Sequence, residues 1–167
     1  TWPVHGVADS AEAQLHPAPS ALEADAAVKK GQYAAAYSGF EGVDEDGRSL
    51  ADILSAAGIE AVDVVGLAES HCVKDTALDA VGQGYRVRVL TDLTEPVSPE
   101  LGHAAQADMR AAGIELAGQD RDHVDRIPDP HQQAPVVAVH GGQHAGRDLR
   151  PASAPGFRFG TVVRIRR

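Results

Sequence analysis

The sequence predicts an α/β fold, a parallel sheet with helices on both faces, and three observations carry that prediction. Three segments between residues 49 and 113 have helical periodicity with recognisable starts and stops. The runs between them, at 61–68, 86–90 and 114–117, are short and mostly apolar, as strands buried on both faces are. The connections are short, and strand–helix alternation of this kind indicates parallel strands joined by right-handed crossovers.

The elements follow in order. Ser49 is placed to cap a first helix, with Asp52 three residues on to complete a capping box. Leu50, Ile53, Leu54 and Ala57 form its apolar stripe and Gly58 ends it. After the strand at 61–68, Ser70 is placed to cap a second helix, in which Val73, Ala77, Ala80 and Val81 share one face before the Gly82-Gln83-Gly84 stop. Following the strand at 86–90, Ser98-Pro99 opens a third helix. Leu101, Ala104, Ala105, Met109 and Ala112 are expected to face inward there, with Gly113 as the stop and 114–117 as the next strand.

In such sheets ligands bind beyond the carboxyl ends of the strands. Cys72, the only cysteine of the 167-residue chain, follows the end of the 61–68 strand. In the first turn of a helix it would meet unpaired backbone N–H groups and the positive end of the helix dipole, which favour a thiolate. A lone cysteine is more often a small buried hydrophobe, so spacing by itself leaves both readings open.

Composition sets bounds. Apolar residues make up 43% and charged residues 23%, ordinary for one globular domain. No basic-then-apolar leader and no run of about 18 apolar residues is visible, so a cytoplasmic location is the expectation. A single cysteine makes no internal disulfide, in keeping with a reducing compartment, and a net charge of −9 argues against a nucleic-acid surface.

Charge divides the chain in two. Residues 1–117 carry 7 Lys and Arg against 19 Asp and Glu, whereas residues 118–167 carry 8 Arg and no Lys against 5 Asp. The second segment also holds five of the ten prolines and four of the eight histidines, without a helix-length amphipathic stretch. The expected organisation is one domain over 1–117 and an unrelated Arg/Pro/His-rich tail over 118–167, disordered or derived from a frameshift.

Several ordered motifs carry a resemblance. Trp2-Pro3-Val4-His5, Leu15-His16-Pro17, Lys30-Gly31 with Tyr33, Tyr37-Ser38-Gly39-Phe40-Glu41-Gly42, Val62-Asp63-Val64-Val65-Gly66-Leu67-Ala68 leading to His71-Cys72-Val73, and Val89-Leu90-Thr91-Asp92-Leu93-Thr94 together resemble the nicotinamidase/pyrazinamidase branch of the isochorismatase-like cysteine hydrolases. The resemblance runs from Trp2 to about Leu116. It implies an isochorismatase-like, Rossmann-like sheet and a reaction in which nicotinamide and water give nicotinate and ammonia through a cysteine thioester, as a step of NAD salvage.

Positions carry over one by one. Cys72 matches the nucleophile, and Lys30 matches the lysine whose ammonium supports the thiolate, with Lys29 as its solvated neighbour. The amides of Ala68 and Cys72 match the oxyanion hole, and the family has a cis peptide before the position of Ala68. Trp2 and Tyr37 match the walls of the pyridine pocket, with Leu67 also in the substrate-binding set. His5 matches a ligand of the family's divalent metal, zinc, iron or manganese, whereas His16 and His71 match positions without a ligand role. The implied partner is nicotinamide or a similar small aromatic amide, with no nucleic acid or membrane, and a homo-oligomer as an option.

The departures from the pattern are also expectations. The family's first strand, bearing a catalytic aspartate, and the segment supplying its first metal ligands have no match here, so the chain reads as truncated at its N-terminus. Without that aspartate turnover is expected to be weak, because positioned proton transfer is commonly worth about 10²–10⁴ in rate. One imidazole does not define a metal site, so His5 alone is expected to retain little metal. His123, His131, His140 and His144 are irregularly spaced, and Gly141-Gly142-Gln143-His144-Ala145-Gly146 lacks the Lys-Ser/Thr of a phosphate loop. Two other readings stay open: another hydrolase of the same superfamily, and a non-catalytic remnant that only binds ligand or partner chains.

Overall fold

A computed structural model of the chain describes residues 24–31, 36–118, 136–141 and 160–166. Within them β1 spans Ala26–Lys30, α1 Leu50–Ala56, β2 Ala61–Leu67, α2 Lys74–Gly82, β3 Arg86–Glu95, α3 Pro99–Ala111, β4 Glu115–Ala117, β5 Val136–Gly141 and β6 Gly160–Arg166. A 3₁₀ turn, Gly39–Glu41, and a single π turn, Glu69–Val73, stand before α1 and α2. The six strands form one sheet in the order β1-β5-β6-β2-β3-β4. All pairs are parallel except those on either side of β6, which runs against its two neighbours.

The α/β class follows from how apolar residues are spaced. On the strands Val28, Val62, Val64, Val87, Val89, Val137 and Val139 are buried in one cluster with Leu50 and Leu54 of α1, Ala77 and Ala80 of α2, and Ala105 and Met109 of α3. Strand members of this cluster recur at every second residue, so they belong to one face of the sheet. All three helices described therefore pack over that face. On the other face Asp63 of β2, 2% exposed, accepts a bidentate pair of hydrogen bonds from Arg88 of β3, at 3.0 and 2.8 Å.

Helix ends agree with local chemistry where that chemistry is self-contained. Ser49 caps α1 by accepting from Asp52 N–H, and the Asp52 carboxylate returns to the Ser49 N–H. Ser98 caps α3, with Pro99 in its first turn. The inward faces are narrower than the spacing predicts: Ala57, Leu101 and Ala104 are exposed, and α3 buries Gly102, Ala105 and Met109 instead. Gly102 permits this because a β-carbon there would stand 2.8 Å from Pro96 Cγ.

Three corrections concern elements. Ser70 does not cap α2: the chain first makes the π turn, in which the Ala68 carbonyl accepts from both His71 and Val73 N–H, and α2 begins at Lys74. β3 continues five residues past Leu90, to Glu95, because β2 shifts register between Val64 and Gly66 and then pairs with Thr94 and Glu95. The segment 118–167 is not without regular structure, since β5 and β6 come from it and lie between β1 and β2. β5 there is a central strand, with Val137, Ala138 and Val139 all buried. No helix described is long and apolar enough to cross a membrane.

Candidate active site

β1, β2 and their loops converge at the carboxyl edge of the sheet. Alternation along β1 turns Val28 and Lys30 inward and leaves Ala27 and Lys29 exposed. Lys30 is 4% exposed although it carries an ammonium, and Lys29 points to solvent beside Glu45 at 3.5 Å. Gly31 follows with a φ of 76°, a left-handed conformation that lets the chain leave the strand directly after Lys30.

The Lys30 ammonium donates to Cys72 Sγ at 3.3 Å and to the Ala36 carbonyl at 3.1 Å. Burial makes an ammonium costly unless it is hydrogen-bonded, and the Cys72 sulfur is one of its two partners among the described residues. Cys72 is half-buried in the π turn.

β2 delivers that turn. Gly66, at φ 114°, sits where the register shifts, and the Leu67–Ala68 peptide bond is cis. Ala68 is buried and opens the turn with its carbonyl, while Leu67 is half-buried beside it. Ser70 Oγ lies 2.9 Å from His71 Nδ1 and accepts from Val97 N–H at 3.3 Å, fastening the turn to the segment before α3.

The loop after β1 forms the opposite wall. Ser38 and Glu41 make a capping box, and Glu41 Oε2 accepts from the N–H groups of both Tyr37 and Ser38 at 2.9 Å. Gly39 N–H donates to buried Thr76 Oγ1 of α2 at 2.8 Å. The loop is thereby locked to the helix that follows Cys72. Tyr37, 42% exposed, holds its ring 5.5 Å from that of His71 at an interplanar angle of 53°. Asp75 lies next to this corner, where burial pushes its carboxyl above the ordinary value, partly opposed by the Lys74 ammonium and reinforced by Asp79.

Of the residues singled out from sequence, the structure brings together Lys30, Cys72, Ala68, Leu67 and Tyr37. Trp2 and His5 lie outside the described residues, as do His16, His123, His131 and His144. Among the described residues no group of three His, Cys, Asp or Glu side chains could hold a metal ion, so a metal site does not fit this part of the chain. Sequence reasoning missed Glu41, although Ser38-x-x-Glu41 is a capping-box pattern. It also gave no role to His71, and it missed Glu69, a charged residue directly after an apolar strand that proves 2% exposed.

Known nicotinamidases are similar to this chain. The M. tuberculosis nicotinamidase/pyrazinamidase is 47% identical over 116 residues, 70% of this chain and 62% of that protein. The E. coli nicotinamidase is 39% identical over 123 residues, 69% of this chain and 56% of its own. Among solved structures, PnC1 from L. infantum in complex with nicotinate superposes with a TM-score of 0.63 at 37% identity, over 71% of this chain and 61% of that one. The chain thus spans about three-fifths of the length of the curated relatives named here. The isochorismatase domain family matches residues 1–121, most of the chain and all of the Lys30–Cys72 region, and the chain belongs to that family.

Proposed function

We propose that this chain carries the nucleophile and its supporting lysine of a nicotinamidase, an amidase that converts nicotinamide and water to nicotinate and ammonia. The observation that carries the reading is the buried Lys30 ammonium 3.3 Å from Cys72 Sγ at the carboxyl edge of the sheet. The relatives' names supply the substrate. In this reading the Cys72 thiolate attacks the carboxamide carbon, and as the C–N bond breaks the leaving nitrogen takes up the proton the thiol gave up and departs as ammonia. Water hydrolyses the resulting thioester, freeing nicotinate and the thiol. The N–H groups of Ala68 and Cys72 stabilise the oxyanion, and Tyr37, Leu67 and Trp2 line the pyridine ring.

Lys30 Nζ has Ala36 O and Cys72 Sγ as its partners, so no described carboxylate completes the pair. His5 is assigned to a divalent metal of the whole protein, and no step is routed through it. The product belongs to NAD salvage, in the cytoplasm, and neither nucleic acid nor membrane has a part in this reading.

The test is ammonia release from nicotinamide by this chain and by Cys72→Ala. A signal that disappears in Cys72→Ala supports the assignment. A signal that survives the substitution removes Cys72 from the chemistry, and no signal from either favours the non-catalytic reading.

A further inference from the structure

The first residue of the cysteine turn is a buried acid that the reaction above does not use. Glu69 is 2% exposed, and both of its oxygens are occupied by other elements. Oε1 accepts from Gln106 Nε2 of α3 at 2.9 Å, and Oε2 accepts from Thr94 Oγ1 at the extended end of β3. The orientation of the Gln106 amide follows from Arg110, whose Nη2 donates to Gln106 Oε1 at 3.4 Å and leaves the amide N–H for Glu69. Gly102 lies beside this contact: a β-carbon on it would stand 3.6 Å from Glu69 Oε1, an ordinary contact, and under 3 Å from Pro96.

We propose that Glu69 is a positioning residue for Cys72, moored by hydrogen bonds to α3 and β3 so that the π turn keeps the sulfur against the Lys30 ammonium. The turn needs an external tether because its own start is weak. Its opening residue Ala68 offers no side-chain cap, so the Ala68 carbonyl alone gathers His71 and Val73. Ser70 supplies one further anchor, to Val97 N–H, and Glu69 supplies two.

The hydrogen-bond inventory separates geometry from charge. Thr94 has one hydroxyl proton, and its oxygen lies within reach of Glu69 Oε2 and, at 3.0 Å, of the Thr91 carbonyl. In Glu69→Gln the new amide N–H would donate to Thr94 Oγ1, the Thr94 proton would pass to the Thr91 carbonyl, and Oε1 would still accept from Gln106. Every partner stays satisfied. In Glu69→Ala, Gln106 and Thr94 lose their partner and the turn loses both moorings.

The proposal rests on the reading of Cys72 as the nucleophile, and two readouts separate their failures. Hydrogen exchange at the His71 and Val73 amides reports the turn whatever Cys72 does. Alkylation of Cys72 by iodoacetamide at pH 7 reports the sulfur, since the chain has no other cysteine. Glu69→Ala, with native circular dichroism, is expected to exchange faster at both amides and to alkylate about tenfold more slowly, whereas Glu69→Gln stays within about twofold of the unchanged chain. Gln106→Ala, which removes one mooring on a half-exposed helix face, is expected to fall between them. Unchanged exchange and alkylation in Glu69→Ala would overturn the proposal, as would a Glu69→Gln variant as impaired as Glu69→Ala. Faster exchange in Glu69→Ala and Gln106→Ala, restored by Gln at position 69, supports the mooring even if Cys72 of the unchanged chain reacts no faster than free cysteine, a result that would count against the nucleophile reading alone.

Discussion

A buried lysine against a cysteine is an expensive arrangement, and its chemistry follows from where the compensation comes from. Among the described residues Lys30 has a single backbone carbonyl besides the sulfur, so most of the electrostatic relief they offer it comes from Cys72. Lys30→Met keeps the length and apolar stem of the side chain and removes only the ammonium. We expect it to fold normally and to slow iodoacetamide labelling of Cys72 at pH 7 by about tenfold. An unchanged labelling rate would mean that the ammonium does not act on the sulfur. A second residue-scale expectation concerns Asp75. Burial raises its native carboxyl above the ordinary value, so the native state holds that proton more tightly than the unfolded state does. Its contribution therefore favours folding at low pH and is lost as pH rises through the raised value. Asp75→Asn should melt higher than the unchanged chain at pH 7 and lose that advantage near pH 3, as thermal scans at the two pH values would show. Its ion pair with Lys74, at 3.9 Å and partly exposed, is too weak to reverse that order.

Elements whose signals are local were legible in the sequence, and elements made by distant partners were not. α1 was readable because Ser49, Leu50, Asp52 and Leu54 lie close together in the sequence and their chemistry needs nothing else. β1 was not, because Ala26–Lys30 carries two lysines at its end and only the tertiary contact with Cys72 explains why one of them is inside. The same limit applies to Ser70, which reads as a cap until Val97 and His71 are seen to occupy its hydroxyl. Within the site, Cys72 and Lys30 were legible by resemblance, whereas Glu69 becomes visible only when Gln106 and Thr94 arrive from residues far along the chain. Helix α3 offers a test of tertiary packing against propensity. Gly→Ala inside a helix ordinarily gains up to about 1 kcal/mol. At Gly102 a β-carbon would meet Pro96 at 2.8 and 2.9 Å, so Gly102→Ala should destabilise by about 1–3 kcal/mol through overpacking. Gly82, at the end of α2, has nothing within 4 Å, and Gly82→Ala should be neutral or stabilising. Urea midpoints of the two variants on either side of the unchanged chain would bear this out, and two shifts of the same sign would not.

At the scale of the whole molecule, the two strands that position the proposed site are not neighbours. β1 carries Lys30 and β2 leads to Cys72, yet between them stand β5 and β6, drawn from the segment whose composition suggested no structure at all. Its apolar runs are short and set among Arg, Pro and Gly, so their strand character depends on the slot that receives them. β1 pairs with β5 from Ala26↔Val137 to Lys30↔Gly141, and among the described residues its other backbone link is one bridge from Lys29 to Val43. The lysine is thus held at its distance from the cysteine largely by β5. Val139 is the point to test, since it is fully buried, lies in register with Val28, and would touch a β-carbon placed on Gly39 of the Tyr37 loop at 3.1 Å. Val139→Asp puts a carboxylate into that apolar cluster, at a cost of several kcal/mol even after relaxation. We expect the urea midpoint to fall sharply and Cys72 labelling at pH 7 to slow together, because releasing β5 frees β1 and withdraws the ammonium from the sulfur. Stability and labelling both unchanged in Val139→Asp would mean that β5 does not join the sheet in solution and that Lys30 is held by the Tyr37 loop alone.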